Sequence, residues 1–324
     1  MLLNIIYLIA GLAFILYGAN LLTDGSAAIA RRLGISDLVV GLTVVAFGTS
    51  APELVISLVS AINGSSAMAV GNIVGSNIFN VLMIIGITAL VLPIKIEKGI
   101  MINEIPLVIL SSLVLLVMGC APLLDGTPDR ILTRVDGIIL LLFFAIFMRY
   151  TFSQAHNGSP ADPAAEDAAS RPAMSMTKSV IYVVGGLAGL IIGGDRFVAG
   201  ASAVASAMGV SDAVIGLTIV AVGTSLPELA TSVTAAIKGQ TGIALGNVIG
   251  SNIFNIFMVL GLTSTIRPLA FGGITMTDLL VMTGAALLFW FFGWKFKQRT
   301  ITRWEGGIMV AAYVAYTIWL IVNV

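Results

Sequence analysis

Ten runs of apolar residues, each bounded by charges or turn residues, divide the chain. The first five cover about 3–22, 36–62, 68–92, 104–121 and 131–149, and the second five about 179–198, 211–237, 243–267, 274–294 and 304–323. Crossing a bilayer as helix takes roughly 20 apolar residues, so each run predicts one transmembrane helix. Between the two sets, residues 150–178 are rich in Ala, Pro, Ser and Asp and show no apolar periodicity. That stretch predicts a flexible linker, too short for a folded regulatory domain. The expected units are a five-helix segment over 1–149, the linker 150–178 and a second five-helix segment over 179–324.

Composition narrows the function classes. Of 324 residues 58% are hydrophobic and 10% charged. A soluble domain carries about 25% charged residues, so this chain is expected to be an all-α polytopic membrane protein. Sixteen Lys and Arg balance sixteen Asp and Glu, which leaves no basic surface for nucleic acid. The single cysteine, Cys120, excludes an internal disulfide, and the single histidine, His156, lies in the most polar stretch. A histidine- or cysteine-based enzyme or resident metal centre is therefore not expected, nor is a cofactor. The N-terminus lacks a positive region and a small-residue cleavage site, so the first segment is expected to stay in the membrane.

The most informative feature is a repeat. Residues 41–57, GLTVVAFGTSAPELVIS, return at 216–232 as GLTIVAVGTSLPELATS, with 12 of 17 positions identical. Residues 71–80, GNIVGSNIFN, return at 246–255 as GNVIGSNIFN, with 8 of 10 identical and the same offset of 175. The matched residues are mostly Gly, Thr, Ser, Pro, Glu and Asn, which chance apolar composition does not reproduce. Five segments per copy is an odd number, so the second copy enters the membrane from the opposite side. The expected architecture is two inverted five-helix repeats about a pseudo-two-fold axis in the membrane plane, an arrangement recurrent in secondary transporters.

Glu53 and Glu228 fall in the middle of segments two and seven. A charge at that depth costs about 2.5–3.5 kcal/mol on insertion scales, and no Lys or Arg stands at comparable depth. A cation from solution is the simplest compensation, and two carboxylates match one divalent ion. Pro52 and Pro227 precede the acids, so both helices are expected to kink and free carbonyls around 46–49 and 221–224. Segments three and eight add Asn72, Ser76, Asn77 and Asn80 with their copies Asn247, Ser251, Asn252 and Asn255. Ser76 and Asn80, four apart, are expected to share a face, as are Ser251 and Asn255. Carbonyls, hydroxyls, amides and carboxylates form the all-oxygen surroundings that hard cations prefer. The pairs Gly71/Gly75 and Gly246/Gly250 predict close helix approach, and Gly18, Gly193 and Gly194 are compatible with sliding of helices one and six.

GTSAPE with GNIVGSNIFN, and GTSLPE with GNVIGSNIFN, closely resemble the two alpha-repeats of the sodium/calcium exchanger family, within the wider cation/calcium exchangers. The resemblance extends to the helix count and the inversion, hence to nearly the whole chain. It implies an antiporter that exports calcium while sodium enters, with the bilayer as its setting and no obligate protein partner. By the same likeness Glu53 and Glu228 hold calcium, with the carbonyls of Thr49 and Thr224 completing the cage. Sodium sites would involve Ala46, Ser50 and Ser76 on one side, and Ala221, Ser225 and Ser251 on the other. Asn80 and Asn255 would line the centre. Some relatives carry an acid where this chain has Asn255, which argues against potassium coupling here. The nearest rival is exchange of protons, rather than sodium, for calcium or another divalent cation.

Basic residues orient the chain. With the N-terminus outside, alternate loops place twelve Lys and Arg inside and four outside. The positive-inside rule then sets both termini outside and the linker in the cytoplasm, and the compact loops suggest an inner membrane. An N-terminal epitope tag should accordingly be reachable by antibody on intact cells. A tag reached only after permeabilisation would reverse the orientation.

Overall fold

The computed structural model describes residues 2–126, 129–156, 174–208, 221–295 and 299–323. Its architecture is all-helical. Helices α1 (Leu2–Leu33), α2 (Asp37–Thr49), α3 (Ala51–Ile62), α4 (Ser66–Val91), α5 (Lys98–Gly119) and α6 (Arg134–His156) form the first half. Helices α7 (Met176–Ala207), α8 (Leu226–Ile237), α9 (Thr241–Ile266), α10 (Met276–Lys295) and α11 (Arg303–Asn323) form the second. Among the described residues eight helices are long and apolar enough to cross a membrane. The pair α2–α3, bent by 44°, makes a ninth. The predicted seventh segment is represented by the twelve-residue α8 and a single helical turn, Ala221–Gly223; its beginning lies outside the described residues.

Two helices outrun their predicted ends. The apolar run of segment one ends near 22, yet α1 continues to Leu33. Its polar residues bond inside the helix, Asn20 Nδ2 to the Leu16 carbonyl at 2.9 Å and Thr23 Oγ1 to the Ala19 carbonyl at 2.6 Å. Ala27 and Ala30 meanwhile remain buried. In the same way α7 passes its predicted end near 198 and reaches Ala207. The predicted linker is helical at both ends, since α6 reaches His156 and α7 begins at Met176; residues 157–173 lie outside the described residues.

Helix starts follow from side-chain capping. Thr133 with Asp136, and Thr275 with Asp278, bond reciprocally to each other's backbone N–H at the heads of α6 and α10. At α11 the Thr302 N–H donates to Glu305 Oε2 at 2.9 Å. Hydroxyl-x-x-acid pairs of this kind satisfy donors that a helix start leaves free. Helix ends are closed by arginines from elsewhere: Arg267 donates to the Ile62 carbonyl at 2.7 Å and Arg303 to the Leu90 carbonyl at 3.0 Å.

The helices are layered by burial. In their most apolar windows α9 is 94% and α4 78% buried, against 28% for α1 and α7 and 11% for α11. The first two form the centre, and the last three present apolar side chains to lipid. The halves interlock, because α11 packs on α4 and α6 on α9. Two short antiparallel ladders fasten the same exchange: β1 (Ile94–Lys95) pairs with β4 (Thr300–Ile301), and β2 (Ile131–Leu132) with β3 (Leu269–Ala270). Each strand that follows the third long helix of one half thus pairs with a strand preceding the last helix of the other.

The most extensive crossing among the described helices joins α1 and α7, antiparallel. Glycines recur every seven residues on both, at Gly11, Gly18 and Gly25 and at Gly186, Gly193 and Gly200. A Cβ on Gly18 would lie 2.8 Å from the Gly186 carbonyl oxygen, and one on Gly193 2.8 Å from the Gly11 carbonyl oxygen. Seven residues are close to two helical turns, so the glycines make a continuous seam where backbone meets backbone. Gly194 is not part of it; the nearest atom to its added Cβ is the Gly223 carbonyl, at 3.8 Å. Gly18→Val should therefore lower the unfolding midpoint of the detergent-purified protein by several degrees, as overpacking costs about 1–3 kcal/mol. Gly284→Ala, where an added Cβ meets nothing within 4 Å, should be tolerated. Equal midpoints for the two variants would contradict the seam.

Candidate functional site

The site begins with two interrupted helices. Pro52 has no N–H to give the Gly48 carbonyl, and the helix breaks at Ser50 (φ −85°, ψ 5°) before restarting as α3. The second copy repeats this at Ser225 (φ −93°, ψ 5°), ahead of Pro227 and α8. Proline suits the first turn of a helix, where its missing N–H costs nothing. Both predicted kinks are thus present as breaks. Each leaves a helix N-terminus in the protein interior, with Glu53 or Glu228 in its first turn. The partial positive charge of a helix start favours a carboxylate there by up to about 2 kcal/mol when partly buried.

Both glutamates are fully buried. Each accepts from the serine at the other helix's break: Ser50 Oγ donates to Glu228 Oε1 at 3.1 Å, and Ser225 Oγ to Glu53 Oε1 at 3.4 Å. The two copies therefore meet face to face, as the repeat predicts. Ser76 Oγ also donates to Glu53 Oε1, at 3.4 Å, whereas the hydroxyl of its copy Ser251 has no partner among the described residues. The two sides are chemically equivalent but not identically bonded.

What stays unbonded defines the centre. Oε2 of Glu53, Oε2 of Glu228, both polar atoms of the Asn80 amide, Oδ1 of Asn255 and Oγ of Ser251 are buried without partners among the described residues. Buried polar atoms are nearly always bonded, so a free carboxylate oxygen on each glutamate calls for an explanation. These oxygens, two of them from carboxylates, make a hard-cation donor set. No Lys or Arg is bonded to either carboxylate; the ion pair found among the described residues, Lys238 with Asp24 at 2.8 Å, has partly exposed side chains.

The structure brings together most of the predicted residues. Ser50, Ser76 and Ser225 bond the glutamates, Thr49 lies beside Glu228 and the half-buried Thr224 beside Glu53, while Ala46, Asn80, Ser251 and Asn255 are buried on the neighbouring helices. The backbone of Ala221 lies in the helical turn before the second break, and nothing further is described of it. Backbone bonding changes to the wider π pattern from Phe79 to Ile84, and again from Phe254 to Leu260, each spanning one asparagine. A π segment inserts an extra residue per turn and re-aims side chains, and it recurs at functional sites. Neither polar atom of the Asn80 amide has a partner among the described residues, while Ser76 Oγ bonds Glu53.

A supporting layer combines asparagines that the sequence singles out, Asn72, Asn77 and Asn247, with two serines that it does not, Ser57 and Ser232. Asn247 Nδ2 donates to the Glu228 carbonyl at 3.2 Å and to Ser232 Oγ at 2.9 Å, and its Oδ1 accepts from Thr49 Oγ1 at 3.0 Å. Asn72 Nδ2 reaches the Glu53 carbonyl at 3.4 Å and Ser57 Oγ at 3.2 Å. Ser57 and Ser232, each four residues after a glutamate, were legible signals by helical spacing alone. Asn77 Oδ1 accepts from Asn255 Nδ2 at 3.1 Å, and Asn77 Nδ2 donates to the Asn252 carbonyl, so Asn77 orients a site amide. Gly246 and Gly250 bring α9 against α2, where a Cβ on Gly250 would lie 2.7 Å from Ala46 Cβ. Their copies Gly71 and Gly75 show no such approach; the segment equivalent to most of α2, residues 209–220, lies outside the described residues.

Known proteins share this plan. The family described as sodium/calcium exchanger protein matches residues 3–153 and 178–322. The chain is 39% identical over 320 residues to the putative antiporter CaxA of Alkalimonas amylolytica, covering 98% of each. It is 36% identical over 302 residues to the inner membrane protein YrbG of Escherichia coli, covering 90% of each. A solved structure of the sodium-calcium exchanger NCX_Mj, 33% identical and covering 97% of each chain, matches with a TM-score of 0.82. An integral membrane protein with several spans and a buried oxygen site, the chain belongs to the sodium/calcium exchanger family, whose members transport ions rather than transform them.

Proposed function

We propose that the protein exports calcium in exchange for entering sodium, by alternating access to one central site. The observation that carries this reading is the pair of buried carboxylates, each with one oxygen unbonded and neither paired with a basic side chain among the described residues. Two negative charges accept one calcium ion, with Glu53, Glu228, Asn80 and Asn255 around it and the carbonyls of Thr49 and Thr224 closing the shell. Sodium ions use the flanking positions formed by Ala46, Ser50 and Ser76, and by Ala221, Ser225 and Ser251. Repulsion disfavours calcium and a full set of sodium ions together, and mutual exclusion is what couples the two flows. The likeness to NCX_Mj supports sodium as the coupling ion.

The supporting architecture is ten spanning segments, two inverted copies over 1–149 and 179–324 joined by the cytoplasmic linker 150–178, with both termini outside. The reciprocal bonds Ser50–Glu228 and Ser225–Glu53 support that symmetry. Movement of α1 and α7 against the rest opens the site to one side at a time, since they pack on each other along the glycine seam and expose much of their surface to lipid. Where the charges exchanged are unequal, the membrane potential adds about 2.3 kcal/mol per charge per 100 mV. The relative YrbG supports an inner-membrane location.

Calcium-45 uptake into proteoliposomes tests the reading. Vesicles loaded with sodium and diluted into choline should accumulate calcium, and vesicles with sodium on both sides should not. Glu53→Gln or Glu228→Gln should reduce the rate more than about tenfold, a loss of over about 1.4 kcal/mol. Full activity in both variants would remove the site. Uptake indifferent to sodium but driven by a pH gradient would assign the same site to proton/calcium exchange.

A further inference from the structure

Away from the ion site, the loops before α5 and before α11 come together through the β1–β4 ladder. The segments 92–98 and 295–303 hold six basic residues, Lys95, Lys98, Lys295, Lys297, Arg299 and Arg303, against one acid, Glu97. Between them lies a cavity of about 250 Å³ lined by Lys98, Met101, Ile102, Trp294 and Arg299. Its lining combines two cations with three apolar side chains. Met101 is buried, whereas Ile102 and Trp294 are 48% and 56% exposed, so the apolar wall continues onto the lipid-facing surface. Neither Lys98 nor Arg299 makes an ion pair among the described residues. Nearby acids are otherwise engaged: Glu104 accepts from Tyr150 at 2.6 Å and Glu305 from the Thr302 N–H. Glu97 is exposed beside Lys98 in the chain.

A second, independent observation concerns the backbone. Arg299 has φ +62°, the one described non-glycine residue in the left-handed region. A long side chain is disfavoured there, where glycine or asparagine fits at lower cost. The conformation is held because the Arg299 carbonyl accepts from the Ile96 N–H at 2.8 Å, directly ahead of the β4 pairing. Strain of this kind, kept by surrounding bonds, concentrates at ligand clamps. Here it places a guanidinium at the cavity facing Lys98.

We propose that this cavity binds the phosphate of an anionic phospholipid headgroup, with Arg299 and Lys98 on the phosphate and the glycerol and first acyl carbons against Met101, Ile102 and Trp294. Basic pockets between membrane helices suit acidic lipid headgroups, and exposed tryptophan marks the headgroup level; Trp294 stacks on Trp290 at 5.7 Å between ring centres. The proposal rests on the orientation above only for its leaflet, the cytoplasmic one, and not on the identity of the transported ions.

The test uses the full chain purified in neutral detergent. The unfolding midpoint is followed while phosphatidylglycerol, phosphatidylcholine or inorganic phosphate is added. Phosphatidylglycerol should raise the midpoint by several degrees, and the other two should leave it in place. Arg299→Gly relieves the strained backbone, so it should keep or raise the lipid-free midpoint while losing most of the phosphatidylglycerol shift. Lys98→Gln, in regular backbone, should lose part of that shift. An equal shift with phosphatidylcholine, an undiminished shift in both variants, or a full shift with inorganic phosphate alone would overturn the lipid site. Sodium-driven uptake measured in parallel separates the readings, because its failure with an intact lipid shift would strike only the exchange function.

Discussion

Two carboxylates are fully buried in the protein with no basic partner among the described residues, and the architecture around them answers that cost. Left alone, each would cost more than a neighbouring apolar contact returns. The protein reduces the cost in three ways. Breaks at Ser50 and Ser225 place each glutamate in the first turn of a helix. The same serines donate to the opposite carboxylate, and Asn72 and Asn247 hold the backbone carbonyls of the glutamates themselves. The remaining charge faces a set of unbonded oxygens, and that residue of uncompensated charge is what a transported cation would neutralise. A fully satisfied pair would hold nothing.

The second constraint is mechanical. A site built from two copies requires them to approach closely without becoming one rigid block. Glycine provides this at equivalent crossings. Gly86 meets Gly306 where α4 and α11 cross, and Gly261 meets Gly137 where α9 and α6 cross. Together with the β1–β4 and β2–β3 ladders, these fix each half's last helix onto the other half's third. The α1–α7 seam differs, since two mostly lipid-exposed helices pack there chiefly backbone to backbone. Small residues over that length leave few interlocking side chains to resist sliding.

Much of this was legible in the chain. The 175-residue offset exposed the duplication, and the polar identity of its matches singled out Glu53 and Glu228, the two glutamates that the fold buries completely. The Pro-Glu pairs gave the breaks, because proline's missing N–H acts locally. Properties set by tertiary bonding were not legible. Helix α1 passes its apolar run because Asn20 and Thr23 satisfy themselves on their own helix, which hydropathy does not register. The π segments beginning at Phe79 and Phe254 depend on packing that no local pattern encodes. Identical copies likewise gave no hint that Ser76 bonds Glu53 while Ser251 remains unbonded. The exchange of α6 and α11 between halves rests on glycines whose partners lie far away in sequence.

The central claim is that one pair of carboxylates serves both ions in turn. Calorimetric titration of calcium into the purified protein, repeated at rising sodium with ionic strength held constant by choline, addresses it without a membrane gradient. The account predicts one calcium per chain, an apparent Kd that climbs steeply with sodium, and no binding heat in the double variant Glu53→Gln/Glu228→Gln. Calcium binding of constant affinity at every sodium concentration would contradict it.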